Sequence, residues 1–215
     1  MNILHVWSLL EGLWGTTLLS ALTFLFGGAL GFLLALTRIS PSQPTRQFAS
    51  LYIQLVQGIP VIVLMGLAFY GPSLVGWRSM APLAAATLAM TLYASAYLGE
   101  IWRGCLEAVA PSQWEAAECL GLSRWQRMRM VILPQAIRMA IPPTVGFLVQ
   151  VVKNSSVASL VIGYTELSYN AKILNNATFE PFLYFGLAGF LYFAICYPLS
   201  RLALTAERRL LVAHR

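Results

Sequence analysis

The sequence predicts an all-α membrane protein of five transmembrane helices, with its N-terminus outside and one helical hairpin on the cytoplasmic side. Three observations predict it. Of 215 residues, 58% are hydrophobic and only 10% are charged, and mean hydropathy is +0.69; a soluble domain carries about 25% charged residues. Four stretches of membrane-spanning length contain no charged residue at all, and a fifth contains one. The arginines gather in alternate connections between those stretches, where orientation signals belong.

The spans follow from the roughly 20 apolar residues a helix needs to cross a bilayer. Leu13–Leu36 is the first, Phe48–Tyr70 the second and Met80–Gly99 the third. Met139–Thr165 is the fourth, interrupted only by Lys153, and Pro181–Ser200 is the last. The chain reads as a single transmembrane domain over 1–215, with no internal repeat. No Lys or Arg precedes Arg38, so a cleavable signal peptide is not expected.

Orientation follows from the short loops. Arg38 and Arg46 lie in the first; Arg103, Arg124, Arg127, Arg129 and Arg138 lie in or beside the third; Arg201, Arg208, Arg209 and Arg215 follow the last span. The opposite loops hold only Arg78 and Lys172. The basic side is expected to be cytoplasmic, which places the N-terminus outside.

The third loop contains two small helices. Pro111 is expected to stop the preceding helix, and Ser112-Gln-Trp-Glu115 has the pattern of a capping box. A helix to about Leu120 would close on Gly121 as a left-handed cap. Ser123-Arg-Trp-Gln126 is a second capping box, opening a helix that runs toward Pro134. Trp114 and Trp125 supply apolar contact area. Such a basic hairpin can lie on acidic headgroups or dock a cytoplasmic partner.

Several chemistries are excluded or disfavoured. All eight acids are glutamate, and the +6 net charge sits beside apolar spans, so nucleic acid is not the expected partner. Cys105, Cys119 and Cys196 lack metal-ligand spacing, and the only histidines are His5 and His214. No catalytic set and no metal site is expected. There is no G-x-x-x-x-G-K-[ST] phosphate loop.

Glu115-Ala116-Ala117, three residues, Gly121, nine residues and Val131-Ile132-Leu133-Pro134 resemble the "EAA" loop of bacterial ABC importer permeases. Val131 stands where the family more often has isoleucine. "SAYLGEIWRG" (95–104), "ILPQAIRMAIPP" (132–143), "VKNSSVASLVIGYTELSYNA" (152–171) and "NNATFEPF" (175–182) are similar to the polar amino acid uptake permeases. The resemblance covers nearly the whole chain. It implies a multi-pass permease of the bacterial inner membrane that moves an amino acid into the cytoplasm. The hairpin would be a coupling helix seated in a cytoplasmic ABC ATPase dimer, with Glu115, Ala116, Ala117, Gly121, Leu133 and Pro134 at the joint. ATP would bind the partner subunit, and this chain would need no cofactor. The further implied partners are an extracytoplasmic solute-binding protein and a second permease subunit, identical or not. An ion-coupled secondary transporter would often show two related halves, and none is visible; a non-transporting scaffold is the remaining alternative.

The candidate substrate path is read from polar residues at membrane depth. Lys153-Asn154-Ser155-Ser156 interrupts the fourth span after Pro142-Pro143, and irregular polar backbone there is tolerated where it is buried or lines a cavity. The competing reading pairs Lys153 with Glu100 as a structural bridge. Glu100 can also pair with Arg103 on its own helix. Gln57 joins the path set, although the resembling family often has arginine before Gly58. Asn154 stands where some members have aspartate. No acid lies between Met139 and Thr165, so a neutral polar or acidic amino acid is expected, its carboxylate drawn to Lys153. Residues 162–182 are expected outside, as a lid and landing surface or as a plain loop. The aromatic residues of 182–197 are expected to face lipid or to pack.

Overall fold

The computed structural model describes residues 2–213, with side chains through Arg208. The side chain of Arg209, together with His214 and Arg215, lies outside this description.

α1 (Ile3–Arg38) is 36 residues long and starts well before the expected Leu13. At 1.5 Å per residue it exceeds the roughly 30 Å of hydrocarbon, so it projects beyond the membrane or tilts within it. One face of it is built from small residues: Gly12, Gly15, Thr16, Ser20, Thr23, Gly27, Gly31 and Ala35 are all buried. Small residues let helix backbones approach where lipid supplies no hydrophobic drive. At Gly27 and Gly31 that face lies along α4 (Pro82–Glu107), against Ala94, Ser95 and Leu98, and at Gly12 and Gly15 it lies against the backbone of 165–167.

The expected second span is not one helix. α2 (Gln43–Gly58) and α3 (Val61–Leu74) meet at a 99° bend. Ile59 is extended at φ −103°, ψ 127°, as a residue before proline prefers. Pro60 has no N–H to continue the ladder of α2, and its fixed φ opens α3 instead.

α4 is the hub. Ala85, Ala86, Ala89, Met90, Ala94, Ala96 and Leu98 are fully buried along it. The expected span ended at Gly99, but the helix continues to Glu107. Three helical runs are long and apolar enough to cross a membrane, with a fourth if α2 and α3 form one bent span. α4 is not among them, because its alanines, Thr and Ser make a helix suited to contact with protein rather than lipid.

α5 (Pro111–Cys119) and α6 (Arg124–Arg127) form the hairpin. From α6 the chain runs through a π-helical turn (Met128–Ile132) into α7 (Leu133–Asn154) and α8 (Ser156–Ile162). The expected stop at Pro134 is absent. The widened turn lies just before this proline, which has neither the N–H nor the room that a regular turn demands. The hairpin's second arm is therefore continuous with a membrane helix, and the expected start of that span at Met139 is corrected to a run from Arg124. Pro142 and Pro143 are carried inside α7.

The segment expected as an external loop is largely α9 (Leu167–Thr178), packed on α1 and α10 (Pro181–Ala213). Leu9, Leu167, Ala171, Leu174, Tyr184 and Ala188 form its core. In α10, Phe182, Phe185, Phe190, Phe193 and Tyr197 face outward as expected, whereas Tyr184 is buried.

Candidate functional site

The hairpin takes its shape from local capping. α5 begins at Pro111 with Ala110 as its N-cap, and no side chain caps it. The expected capping box between Ser112 and Glu115 is absent: proline at the first helical position, with φ preset, moves the helix start two residues earlier. Glu115 is thereby a helix-interior residue with an exposed side chain. The end of α5 is as expected. Gly121 has φ +71°, its N–H donates to the Glu118 carbonyl at 2.8 Å, and the Leu122 N–H donates to the Ala117 carbonyl at 3.2 Å. This pair of bonds is a Schellman motif. The second box also forms: the Ser123 N–H donates to Gln126 Oε1 at 2.8 Å, and the Gln126 N–H donates to Ser123 Oγ at 3.4 Å.

The hairpin is fixed to the bundle. Arg127 Nη1 donates to Glu118 Oε2 at 2.7 Å across its two arms. Beneath it, Leu106, Val109, Ile132 and Ala136 are buried together, with Trp114, Met128, Val131 and Leu133 packed on them. Ala117 points inward, while Glu115, Ala116 and Pro134 are exposed. Leu120 is 78% exposed and Trp125 is 70% exposed, beside the Gly121 turn. These two residues add an apolar tip to the expected joint. Apolar residues flanking a glycine cap were the signal available for Leu120.

Glu100 joins a structural cluster. Its carboxylate accepts from Arg38 Nε at 3.2 Å and from Arg103 Nε at 2.8 Å, and Arg103 also bridges to Glu107. The Arg103 pair is the one expected; a bridge from Glu100 to Lys153 is not made. Among the described residues no ion pair involves Lys153, which is exposed at the end of α7.

The polar segment interrupts the helix at one residue without a sharp bend: Ser155 keeps helical angles, φ −58° and ψ −29°, and 124–162 remains one span-length run. α7 ends at Asn154 and α8 begins at Ser156. Ser155 is fully buried and its hydroxyl donates back to the Val152 carbonyl at 2.8 Å; Ser156 does the same to Lys153. Both serines thus have hydroxyls engaged by their own helix. Asn154 Oδ1 accepts from Gln150 Nε2 at 3.1 Å. The break in the α2–α3 pair borders the same core, where Val56, Ile59 and Val61 meet Phe147, Val151 and Ala158 around α4. Gln57 stands at that first break, its Nε2 donating to the Ala96 carbonyl at 3.4 Å. One sharply bent helix pair and one locally interrupted helix therefore flank a central helix. Tyr93, Tyr97 and Phe147 stack between α4 and α7, with centroids 4.6–5.9 Å apart. This aromatic group was not singled out in the sequence; Tyr93 and Tyr97 at i,i+4 on an otherwise small-residue helix were its signal.

A second buried group was also missed. Glu166 is fully buried and caps α9, accepting from the Ser168 N–H at 2.9 Å and the Tyr169 N–H at 2.8 Å. Tyr192 and Thr16 hydroxyls donate to its Oε2 at 2.5 and 3.4 Å. It ties α9 to α1 and α10 from one carboxylate.

A helical bundle with one sharply bent span beside a small-residue hub, carrying a fixed hairpin, matches the family described as "Binding-protein-dependent transport system inner membrane component" over residues 27–212. The chain belongs to this family. The permease is 36% identical over 187 residues to the "Probable amino-acid ABC transporter permease protein YckA" of Bacillus subtilis (strain 168), covering 87% of this chain and 82% of that one. It is 32% identical over 206 residues to the "L-cystine transport system permease protein TcyB" of the same organism, covering 95% and 87%. Its fold matches a solved amino acid ABC transporter with histidines at a TM-score of 0.89 and 31% identity, covering 96% of each chain. The permease is an integral membrane protein, and its similarity runs along nearly the whole chain rather than through the hairpin alone.

Proposed function

We propose that this chain is the membrane-spanning subunit of an ABC importer that carries a polar amino acid into the cytoplasm, driven by ATP hydrolysis on a separate ATPase dimer. The observation that carries this reading is the hairpin. Its tip is exposed and apolar, while its base is packed onto α4 and continuous with α7. A displacement applied at Leu120, Gly121 and Trp125 would therefore be transmitted to the helix that carries the interruption at Ser155, with little slack between. Glu115, Ala116, Ala117, Gly121, Leu133 and Pro134 form or support that joint. ATP binds the partner, and this chain contributes no phosphate loop. A solute-binding protein delivers substrate from outside, and a second permease subunit completes the path, since one bundle of about five helices encloses it poorly. ATP-driven uptake into vesicles holding the assembled complex tests the reading; retention of the ATPase without any ATP-dependent uptake would refute it.

The proposed topology has five spans, with α4 the buried third and the N-terminus outside, in the inner membrane. Single cysteines at the exposed positions Ser42 and Leu120, in a background without Cys105, Cys119 and Cys196, are expected to react with an impermeant reagent only from the cytoplasm. A cysteine at Asn176 is expected to react only from outside. Labelling of Asn176 from the cytoplasm would overturn the topology.

Substrate charge is proposed from the α7–α8 junction. Among the described residues Lys153 has no carboxylate partner, and Asn154 is neutral, so a substrate carboxylate finds attraction there while a cationic side chain finds none. Glutamine or glutamate is expected to compete with labelled uptake better than arginine or lysine, and Asn154→Asp is expected to shift the order toward the cations. Best competition by arginine in the parent would defeat this assignment.

A further inference from the structure

Two hollows lie next to each other at the arginine-bearing end of the bundle, on either side of Leu106. The first is a cleft of about 300 Å³ between α1, α4 and α7, lined by Phe32, Ala35, Trp102, Leu106, Ile137 and Ile141. Its polar groups, the Trp102 indole N–H and the Thr144 hydroxyl, are bonded to each other at 2.8 Å. The volume suits a small organic ligand or part of a larger one, and the lining suits hydrocarbon. The second hollow shares Leu106 with the first. It begins at Arg38, three residues beyond Ala35 and so on the same face of α1. Its charged lining is Arg38, Arg46, Arg124, Glu107 and Glu115. Arg38 is bound to Glu100, and Glu107 to Arg103. That leaves Arg46 and Arg124 facing one carboxylate, Glu115, with one positive charge in excess. Arg46 Nη1 donates to the Ser40 carbonyl at 3.3 Å, and its remaining donors are open.

We propose that these neighbouring hollows bind an anionic phospholipid, with an acyl chain in the cleft and the headgroup phosphate reaching past Leu106 to Arg46 and Arg124. The proposal rests on the orientation given above, which places these arginines at the cytoplasmic leaflet, where anionic lipid and basic pockets between helices meet. A zwitterionic lipid would fill the cleft equally well but would gain less from the excess charge. A soluble partner can reach the arginines from water but cannot enter the Phe32–Ile141 cleft. An apolar slot with a basic hollow beside it suits an amphiphile.

The test uses the assembled transporter reconstituted in nanodiscs of equal phosphatidylethanolamine and phosphatidylglycerol, then released into detergent. Native mass spectrometry reads the lipid that stays bound. In the parent, retained phosphatidylglycerol is expected to outnumber retained phosphatidylethanolamine by about tenfold or more, and Arg46→Gln with Arg124→Gln to bring that ratio most of the way back to one, at roughly one charge contribution per arginine. Arg46→Lys is expected to restore part of the enrichment. Ala140→Phe, which fills the cleft wall, is expected to lower total bound lipid with the arginines intact. An elution profile matching the parent establishes that each variant is folded. Equal retention of the two lipids, or enrichment unchanged in the double arginine variant, overturns the proposal. Displacement of the lipid by inorganic phosphate would make this a phosphate site, and enrichment seen only after the ATPase is stripped away would make the arginines ATPase contacts; either result also overturns it. Because retention is read without substrate or ATP, it can fail while uptake succeeds, and the cysteine labels report on orientation independently.

Discussion

Gly15→Ala is expected to lower the thermal unfolding midpoint of the purified permease in detergent by several degrees. A Cβ built on Gly15 would lie 2.1 Å from the Thr165 carbonyl oxygen. The obstacle is backbone, so no side-chain rotation relieves it. The neighbouring contacts cannot yield cheaply either. The Tyr164 hydroxyl donates to the Gly15 carbonyl at 3.1 Å, the Leu167 N–H donates to Thr16 Oγ1 at 3.2 Å, and Asn170 Nδ2 donates to the Ser8 carbonyl at 2.6 Å. Moving α1 away from the 163–166 turn strains all three and loosens the donors around the buried Glu166. Overpacking a tight contact costs about 1–3 kcal/mol, occasionally more, and a backbone clash this close belongs at the upper end. Gly58→Ala is the control, because a Cβ there meets nothing within 4 Å; its midpoint is expected to match the parent. Equal midpoints for Gly15→Ala and the parent would show that α1 and the turn are not held at this distance.

Much of this architecture was legible because apolar runs and punctuation residues act locally. Leu13–Leu36 lies inside α1, Gly121 is left-handed, and the Ser123 box forms as its pattern requires. What the sequence hid depends on nonlocal packing. Gly12, Gly15, Gly27 and Gly31 look like ordinary spacing in a lipid-facing span, yet they are the side of α1 that touches protein. Ser112 and Glu115 satisfy a capping pattern, but Pro111 competes for the helix start and wins, since proline suits the first helical turn. Pro60 and Pro134 carry the same residue chemistry to opposite outcomes. At Pro60 an extended Ile59 lets the chain turn through 99°, whereas at Pro134 a π-helical turn absorbs the missing donor and the helix continues. Neither outcome follows from the proline alone.

The candidate site divides along the same line. Lys153 to Ser156 stands out in the sequence because polar residues at membrane depth are rare. Their use differs from a simple polar lining: Ser155 and Ser156 return their hydroxyls to the backbone, leaving Lys153, Asn154 and Gln150 as the side chains with chemistry to offer. Glu100, which follows the third expected span, belongs to the expected path set. In the fold it is neutralised by Arg38 and Arg103, and it joins α1 to α4 near the hairpin's base. Glu166 looked like one acid of an external loop, and only the fold reveals that three helices converge on it.

Gly121→Val is expected to reduce ATP-driven uptake by at least tenfold while leaving the permease folded in the membrane. The space around Gly121 is open, and a Cβ placed there would meet nothing within 4 Å, so volume is not the obstacle. The obstacle is φ +71°, which a β-branched residue takes up only at a cost of about 1–3 kcal/mol. The cheapest relief is local. The Gly121 and Leu122 N–H bonds to the end of α5 break, the turn opens, and Leu120 and Trp125 leave the tip they share. The buried base, held by Leu106, Val109, Ile132 and Ala136, lies away from that turn and keeps α4 and α7 in place. Gly121→Asn separates conformation from size: asparagine is larger than glycine but enters the left-handed region readily, so its uptake is expected to stay within about twofold of the parent. If the tip is where force from ATP hydrolysis enters, valine uncouples and asparagine does not. Equal loss in both would place the defect in bulk at the docking surface, and normal uptake by the valine variant would remove the hairpin from the coupling route altogether.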